Sequence, residues 1–372
     1  MLDKEVVRRA ARYVAALLVA ENCDGPMPSL PDGVSLRAVF VFAKRHAVAS
    51  AICYMIEDEV RAAGDDELTE RFEQACMLDY TKHRTQLREF AEITAAFDEA
   101  GIDYLPLKGF INKELWKKPE YRTMTDMDIY VDPVRIGDAA EILTSLGYVF
   151  EHGCAAHDSY SKSPYVNIEL HKSLDDRDFV DFSTLRQKKD SAHQYMMSDE
   201  DFLIYALHHM YKHYKQGGSG MRSFFDVYLY LKKKGDTLDF RYIESELRAR
   251  ELDEFYASVL RLSELWFDGK CEDAEELSEL EIYIATGGTF GTVENRVEHA
   301  LEHKSRLGYA LSRIFLPYRS MKQLYKWLRP LPFLLPIAWI MRLVRALFDG
   351  RMRREIRATA KAKSATKNTE NI

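Results

Sequence analysis

Leu107-Lys108-Gly109, then Arg122-Thr123-Met124-Thr125-Asp126-Met127-Asp128-Ile129-Tyr130-Val131, then Val166-Asn167-Ile168-Glu169-Leu170-His171 are the runs on which the fold turns. A strand over Met127 to Val131 has a period of two, which sends Met127, Ile129 and Val131 to one face and Asp126, Asp128 and Tyr130 to the other. A second alternating run, Tyr165 to His171, turns Val166, Ile168 and Leu170 inward and leaves Asn167, Glu169 and His171 on the opposite side. If the two strands are neighbours in one sheet, Glu169 becomes a third carboxylate beside the pair. Three acidic groups packed that closely repel one another, raise at least one pKa, and are costly to keep ionised without a divalent cation between them. Hard carboxylate oxygens without thiolate or paired His ligands suit Mg²⁺ or Mn²⁺ rather than zinc. A single Asp-x-Asp is more often a solvated strand edge. The phase of Glu169 and the upstream Lys108-Gly109 make this one a stronger signal.

With Lys108-Gly109 after an apolar strand, a helical segment, Asp126-x-Asp128 on the next strand and a later strand acid at Glu169, the sequence resembles the nucleotidyltransferase superfamily related to DNA polymerase β. Leu-Lys-Gly, the Arg shortly before Asp-x-Asp and the Glu-Leu-His strand narrow the resemblance to the bacterial group of uncharacterised nucleotidyltransferases. The superfamily usually carries Gly-Gly or Gly-Ser where this chain has Lys108-Gly109, and a shorter gap to the acidic pair; both departures fit the narrower group. The match covers residues 100–174 well, the following helices loosely and the amino-terminal part hardly at all.

The resemblance implies an α+β protein, with a small mixed nucleotidyltransferase-type β-sheet, flanking helices, and amino- and carboxy-terminal helical regions. It implies metal-dependent transfer of an NMP from an NTP such as ATP to an acceptor, with pyrophosphate leaving. Asp126, Asp128 and Glu169 are then the catalytic and metal-binding residues, with Mg²⁺ (or Mn²⁺) as cofactor. Lys108, Gly109, Arg122, Lys212 and Arg222 are the expected nucleotide-binding residues. Arg122 has two readings, a bidentate clamp on phosphate or a partner for Asp126 or Asp128. Arg222 and Asp226, four residues apart on one helix, read either as an intrahelical pair or as cleft contacts. His171 could hold a carboxylate, contact substrate, cap the strand or act as a general base. Two other functions stay open, a nucleotide hydrolase with water as acceptor and a catalytically weak nucleotide-binding scaffold, membrane-peripheral through its tail.

Around this core, the pattern predicts a helical region over 1–100, the catalytic core over 101–182, a helical domain closing the cleft over 183–316, basic and apolar helices over 317–358, and a disordered tail over 359–372. Helices are expected over Val6 to Ala20, Leu36 to Met55, Glu67 to Ala100 and Phe240 to Gly269. His46 reads as a structural histidine. The runs Gly217-Gly218-Ser219-Gly220 and Gly287-Gly288-Thr289-Phe290-Gly291-Thr292 both lack the Walker pattern.

Hydrophobic residues make up 47% of the 372 and charged ones 30%, which is ordinary for a folded protein and excludes general disorder. The net charge of -7 argues against a global nucleic-acid binder, so the expected acceptor is a small molecule, sugar or protein rather than long nucleic acid. The five scattered cysteines show no zinc spacing and suit a reducing, cytoplasmic setting. Between Arg329 and Arg342 the apolar run is too short for a spanning helix, so it reads either as an interfacial membrane contact with Trp anchors or as a helix packed back on the protein.

Overall fold

The computed structural model describes residues 3–174, 182–270, 275–303, 305–348 and positions 350, 354, 358 and 359. The tail expected to be disordered, 359–372, lies outside the described residues apart from Thr359. Five helices come first: α1 (Lys4–Cys23), α2 (Leu36–Arg45), α3 (Ala49–Ile52), α4 (Glu57–Ala62) and α5 (Asp66–Glu99). Asp3, Ser35 and Asp65 cap α1, α2 and α5, each side chain accepting from a first-turn N–H. The one or two helices expected over Leu36 to Met55 are two α-helices, parted at Ala47, where φ is +56°.

The central stretch alternates strands and helices: β1 (Tyr104–Pro106), α6 (Gly109–Glu114), β2 (Met127–Val131), α7 (Ile136–Ser145), β3 (Val149–Gly153), β4 (His157–Lys162) and β5 (Val166–His171). These strands form one mixed sheet in the order β1-β2-β5-β4-β3, in which only the β2–β5 pair is parallel. On one face Met127, Ile129 and Val131 join Val166, Ile168 and Leu170 against Ile93 and Phe97 of α5 and Ala139 and Leu143 of α7. Full burial of each such aliphatic side chain contributes about 1.5–3 kcal/mol, so one face of β2 alone anchors the sheet to α5 and α7. On the other face Leu105, Leu107 and Tyr130 are covered by Phe182, Leu185, Met197 and Tyr205.

A two-residue hairpin, β6 (Arg186–Gln187) with β7 (Tyr195–Met196), leads into α8 (Asp199–Lys215), α9 (Met221–Lys234), α10 (Phe240–Ala249), α11 (Asp253–Phe267) and α12 (Glu275–Gly287). The single helix expected over Phe240 to Gly269 is two, because Glu251 turns into the left-handed region at φ +57°. The Leu252 N–H then donates back to the Leu247 carbonyl at 2.8 Å, a Schellman-type stop that buries both leucines. Glycine is the usual residue at that position, so Arg250-Glu251-Leu252 carries no local signal of it.

By compactness the chain forms two units, residues 1–210 with 220–285, and residues 211–219 with 286–372. In the first unit His46 is fully buried; its Nδ1 accepts the Met221 N–H and its Nε2 donates to the Ala285 carbonyl, both at 3.0 Å. Burial lowers its pKa to about 4, so it sits there neutral, as a structural histidine should. Cys53 and Cys76 are joined sulfur to sulfur, which their sequence spacing does not announce.

The second unit contains α13 (Val293–His303), α14 (Arg306–Ile314), α15 (Tyr318–Leu324) and α16 (Leu335–Phe348). Both glycine runs meet here. A Cβ on Gly218 would lie 2.1 Å from the Gly291 nitrogen, so these glycines serve a backbone-to-backbone contact.

The deepest charge in the first unit is Glu281, which accepts from Arg8 and Arg12 of α1 and from the Trp266 indole of α11, all at 3.0 Å. Burial pushes its pKa up, but these donors prevail and hold it below the usual carboxylate range. A depressed folded pKa means the contribution is present above the unfolded value and is lost as pH falls through the folded one. Glu281→Ala should cost about 2–4 kcal/mol in urea unfolding at pH 7, and the gap should narrow toward pH 4. A change inside about 0.5 kcal/mol would rule out this pairing as a structural anchor.

Candidate active site

The loop between β1 and α6 places the first functional side chain. Leu107 donates its N–H to the Asp128 carbonyl at 3.0 Å, and Phe110 donates back to the Leu107 carbonyl at 3.3 Å, closing a turn. Lys108 sits inside that turn at φ +41°, ψ -96°, a conformation that favours glycine and costs a side-chain-bearing residue roughly 1–3 kcal/mol. In return its ammonium lies 2.8 Å from Asp128 Oδ1. Gly109 has a steric reason of its own, since a Cβ there would fall 2.3 Å from the Met124 sulfur.

The carboxylates are brought together by register. Asp128 of β2 stands opposite Glu169 of β5, and Asp126 lies two residues earlier on the same face. His171, two residues beyond Glu169, donates from Nε2 to Asp128 Oδ1 at 2.9 Å and lies 3.5 Å from Glu169 Oε2. On the other side of β5, β4 sets His157 opposite His171, and His157 Nε2 is 3.6 Å from Glu169 Oε1. Donor atoms of His157, Glu169 and His171 all lie within 4.8 Å of one another. Paired His ligands, set aside on the sequence, are therefore present, because the antiparallel β4–β5 register brings together two histidines far apart in any local motif.

The two aspartates differ sharply in electrostatics. Asp126 accepts no hydrogen bond among the described residues, and burial, then the charges of Glu169 and Asp128, push its pKa up to about 6. For Asp128 burial acts in the same upward direction, but the Lys108 charge and the His171 hydrogen bond hold it well below the usual carboxylate range. Burial works against a charged His171, yet its bonds to Asp128 and Glu169 raise its pKa. Tyr205 of α8 closes the wall; burial, then Asp128 and Glu169, raise its pKa well above the ordinary value, so it remains a neutral phenol.

A cationic layer adjoins the acidic one. Arg122 is buried and spends its guanidinium on Asp226 of α9, Nε to Oδ1 at 2.9 Å and a terminal nitrogen to Oδ2 at 2.6 Å. Asp226 also accepts from the Trp116 indole at 2.8 Å and from Asn112 at 3.4 Å. So Arg122 pairs with Asp226 in place of Asp126 or Asp128, and Arg222 does not form the intrahelical pair with Asp226. Arg222 instead donates to the Thr123 carbonyl at 2.6 Å, leaving its Nε buried without a partner. Lys113 of α6, absent from the residues singled out on the sequence, is buried here with Nζ 3.1 Å from His83 Nδ1. Burial, then Arg122 and Arg222, lower its pKa to about 7. The Asn112-Lys113 pair inside an otherwise apolar turn was the available signal. Lys212 is exposed on α8 and belongs to the second compact unit.

Chemically, the arrangement sets three carboxylates and two imidazoles on one sheet face, with a lysine on one carboxylate and buried cations beside them. It can hold a cation and stabilise an anion.

No curated protein matches the sequence. Among solved structures the chain is similar to the antibiotic-resistance factor ANT(2'')-Ia, whose solution structure is described as revealing substrate-regulated conformation dynamics; identity is 13%, TM-score 0.37, and the alignment covers 48% of this chain and 96% of that one. The profile of the uncharacterised nucleotidyltransferases matches residues 33–268. That span holds the whole mixed sheet, every residue of its acidic face and the buried arginines beside it, and it exceeds half of the chain, which therefore belongs to the family of uncharacterised nucleotidyltransferases.

Proposed function

We propose that the protein transfers an NMP from an NTP to an acceptor hydroxyl of a small molecule, sugar or protein. The observation that carries this reading is the parallel β2–β5 register, which sets Asp128 against Glu169 with Asp126 on the same face. The acceptor oxygen attacks the α-phosphorus, the α–β phosphoanhydride bond breaks, pyrophosphate leaves and the acceptor proton passes to a base. Glu169 is the base in this reading, flanked by the His157 and His171 imidazoles that orient its carboxylate. Lys108 stabilises charge on the phosphates once Asp128 takes another partner. Lys113 and Arg222, with its unpartnered Nε, supply positive charge toward the same anion, and Arg122 holds that wall in place through Asp226. Gly109 lets the chain approach closely.

The donor set fits a divalent cation. Among the described residues Asp126 accepts no hydrogen bond, and burial, then the charges of Glu169 and Asp128, raise its pKa, as suits a ligand for a cation. Asp126, Asp128 and Glu169 would hold Mg²⁺ or Mn²⁺; the two imidazoles beside Glu169 lean the set toward Mn²⁺. When bound, the ion supplies neutralisation of phosphate charge and a lowered acceptor pKa.

Two outcomes test this. In melting experiments with each NTP in turn, one NTP at about 100 times its dissociation constant should add about 2.7 kcal/mol to the wild type in Mg²⁺ or Mn²⁺. Asp128→Asn should remove that gain and lower pyrophosphate release by about 10²–10³-fold; undiminished release would sink the mechanism. The second outcome concerns the metal-free protein. A raised folded pKa means that ionising Asp126 costs stability as pH rises through about 6. Asp126→Asn should therefore be more stable than wild type by on the order of 1–3 kcal/mol at pH 8 in EDTA, and equal to it near pH 4. Equal stability at both pH values would remove the case for an electrostatically frustrated ligand.

A further inference from the structure

The second compact unit carries an apolar surface that its own core does not use. Helix α16 has two apolar stripes. Leu335, Ala338 and Trp339 pack with Met321, Tyr325 and Leu328 in a small core. The Trp339 indole donates to the Leu316 carbonyl at 2.9 Å and Arg342 Nε to the Arg313 carbonyl at 3.2 Å, so residues 335, 338, 339 and 342 face inward at helical spacing. The second stripe, Ile337, Ile340, Met341 and Val344, has the same spacing and faces out: Ile340 is 60% and Val344 52% exposed. Phe333, just before the helix, is 73% exposed. Tyr325 and Arg345 complete a groove of about 640 Å³ along this stripe.

Charge says what covers it. From Arg306 to Phe348 the chain carries eight Lys or Arg residues and no Asp or Glu, although the whole protein is acidic. Such a face repels the same basic face of a second copy and attracts an anionic surface. Among the described residues no helix is long and apolar enough to cross a membrane. The stripe is also only about one helix long, too short to fill a bilayer core and long enough to lie in its interface.

We propose that the exposed stripe of α16, with Phe333 and the surrounding Arg and Lys side chains, docks on the interface of an anionic phospholipid bilayer. Apolar side chains enter the headgroup boundary while the basic residues meet lipid phosphates. The helix lies in the plane of the surface, its inward stripe still on the small core. RNA would satisfy the charges and leave the aliphatic stripe in water, so a bilayer accounts for both features and RNA for one.

Flotation of the full chain with vesicles of phosphatidylcholine alone, or of phosphatidylcholine with 30% phosphatidylglycerol, tests the assignment directly. Partition is expected into the anionic vesicles alone, falling steeply with added NaCl. Ile340→Asp/Val344→Asp should abolish it with an unchanged melting temperature, because both side chains are exposed in the folded protein. Arg345→Ala should weaken it roughly fivefold. Three results would overturn the proposal: no partition into anionic vesicles at low salt, partition undiminished in the double variant, or binding of single-stranded RNA without vesicle binding. A dimer that dissociates in the double variant, with vesicles left unbound, would overturn it in favour of self-association.

Discussion

Everything at the acidic face depends on how a charge-dense sheet surface is kept folded. Asp128 and Glu169 face each other across parallel strands, and Asp126 stands beside them. Left alone, three such carboxylates would repel and would lose hydration. The fold answers with two interlocking donors on Asp128: Lys108 from a strained turn and His171 from the far end of β5. Among the described residues Asp126 receives no such donor, and burial, then repulsion from Glu169 and Asp128, raise its pKa. The opposite face of the sheet provides the stability, since Met127, Ile129 and Val131 lock β2 onto α5 and α7. One strand of five residues thus carries both the hydrophobic anchor and the electrostatic liability, on alternate side chains.

The same logic extends one layer outward. Buried cations beside carboxylates must be kept from collapsing onto them. Asp226 prevents this by taking the Nε and one terminal nitrogen of Arg122, with Trp116 and Asn112 completing its shell. A bidentate pair of this kind fixes the plane of the guanidinium, which a lysine could not do. With Arg122 engaged, Lys113 and Arg222 are left as the less saturated charges, and the depression of the Lys113 pKa records their crowding. Removing Asp226 would therefore disturb the wall before it disturbed the acidic face.

How much of this was legible follows from the range of each interaction. The β2 and β5 faces could be read because alternation is a local property, and Asp128 stands opposite Glu169 as the period of two requires. The family resemblance supplied the adjacency that alternation cannot. Partner choice was less accessible: Arg122 ends on Asp226, which lies 104 residues away, while of the nearer carboxylates Asp128 is already held by Lys108 and His171. The His157–His171 pairing was hidden for a similar reason, since it depends on the β4–β5 register and not on spacing. The stop at Glu251 escaped because a left-handed non-glycine residue is imposed by burying Leu247 and Leu252 on either side of it. The glycine runs, which lack the Walker pattern, carried no local sign that Gly218 and Gly291 are glycines so that two backbones can touch.

The carboxy-terminal unit shows the limit of reasoning from a helix in isolation. Read as sequence, residues 329–348 offered two exclusive fates, packing on the protein or lying on a membrane. A helix with 3.6 residues per turn can present more than one stripe. Here the stripe through Leu335, Ala338 and Trp339 is consumed by the local core, and that docking is what fixes the second stripe outward. Packing and exposure are then not rivals but consequences of each other: without the inner stripe held in place, the outer residues would have no defined face, and without basic residues around it that face would be an aggregation hazard rather than a surface with a preferred partner.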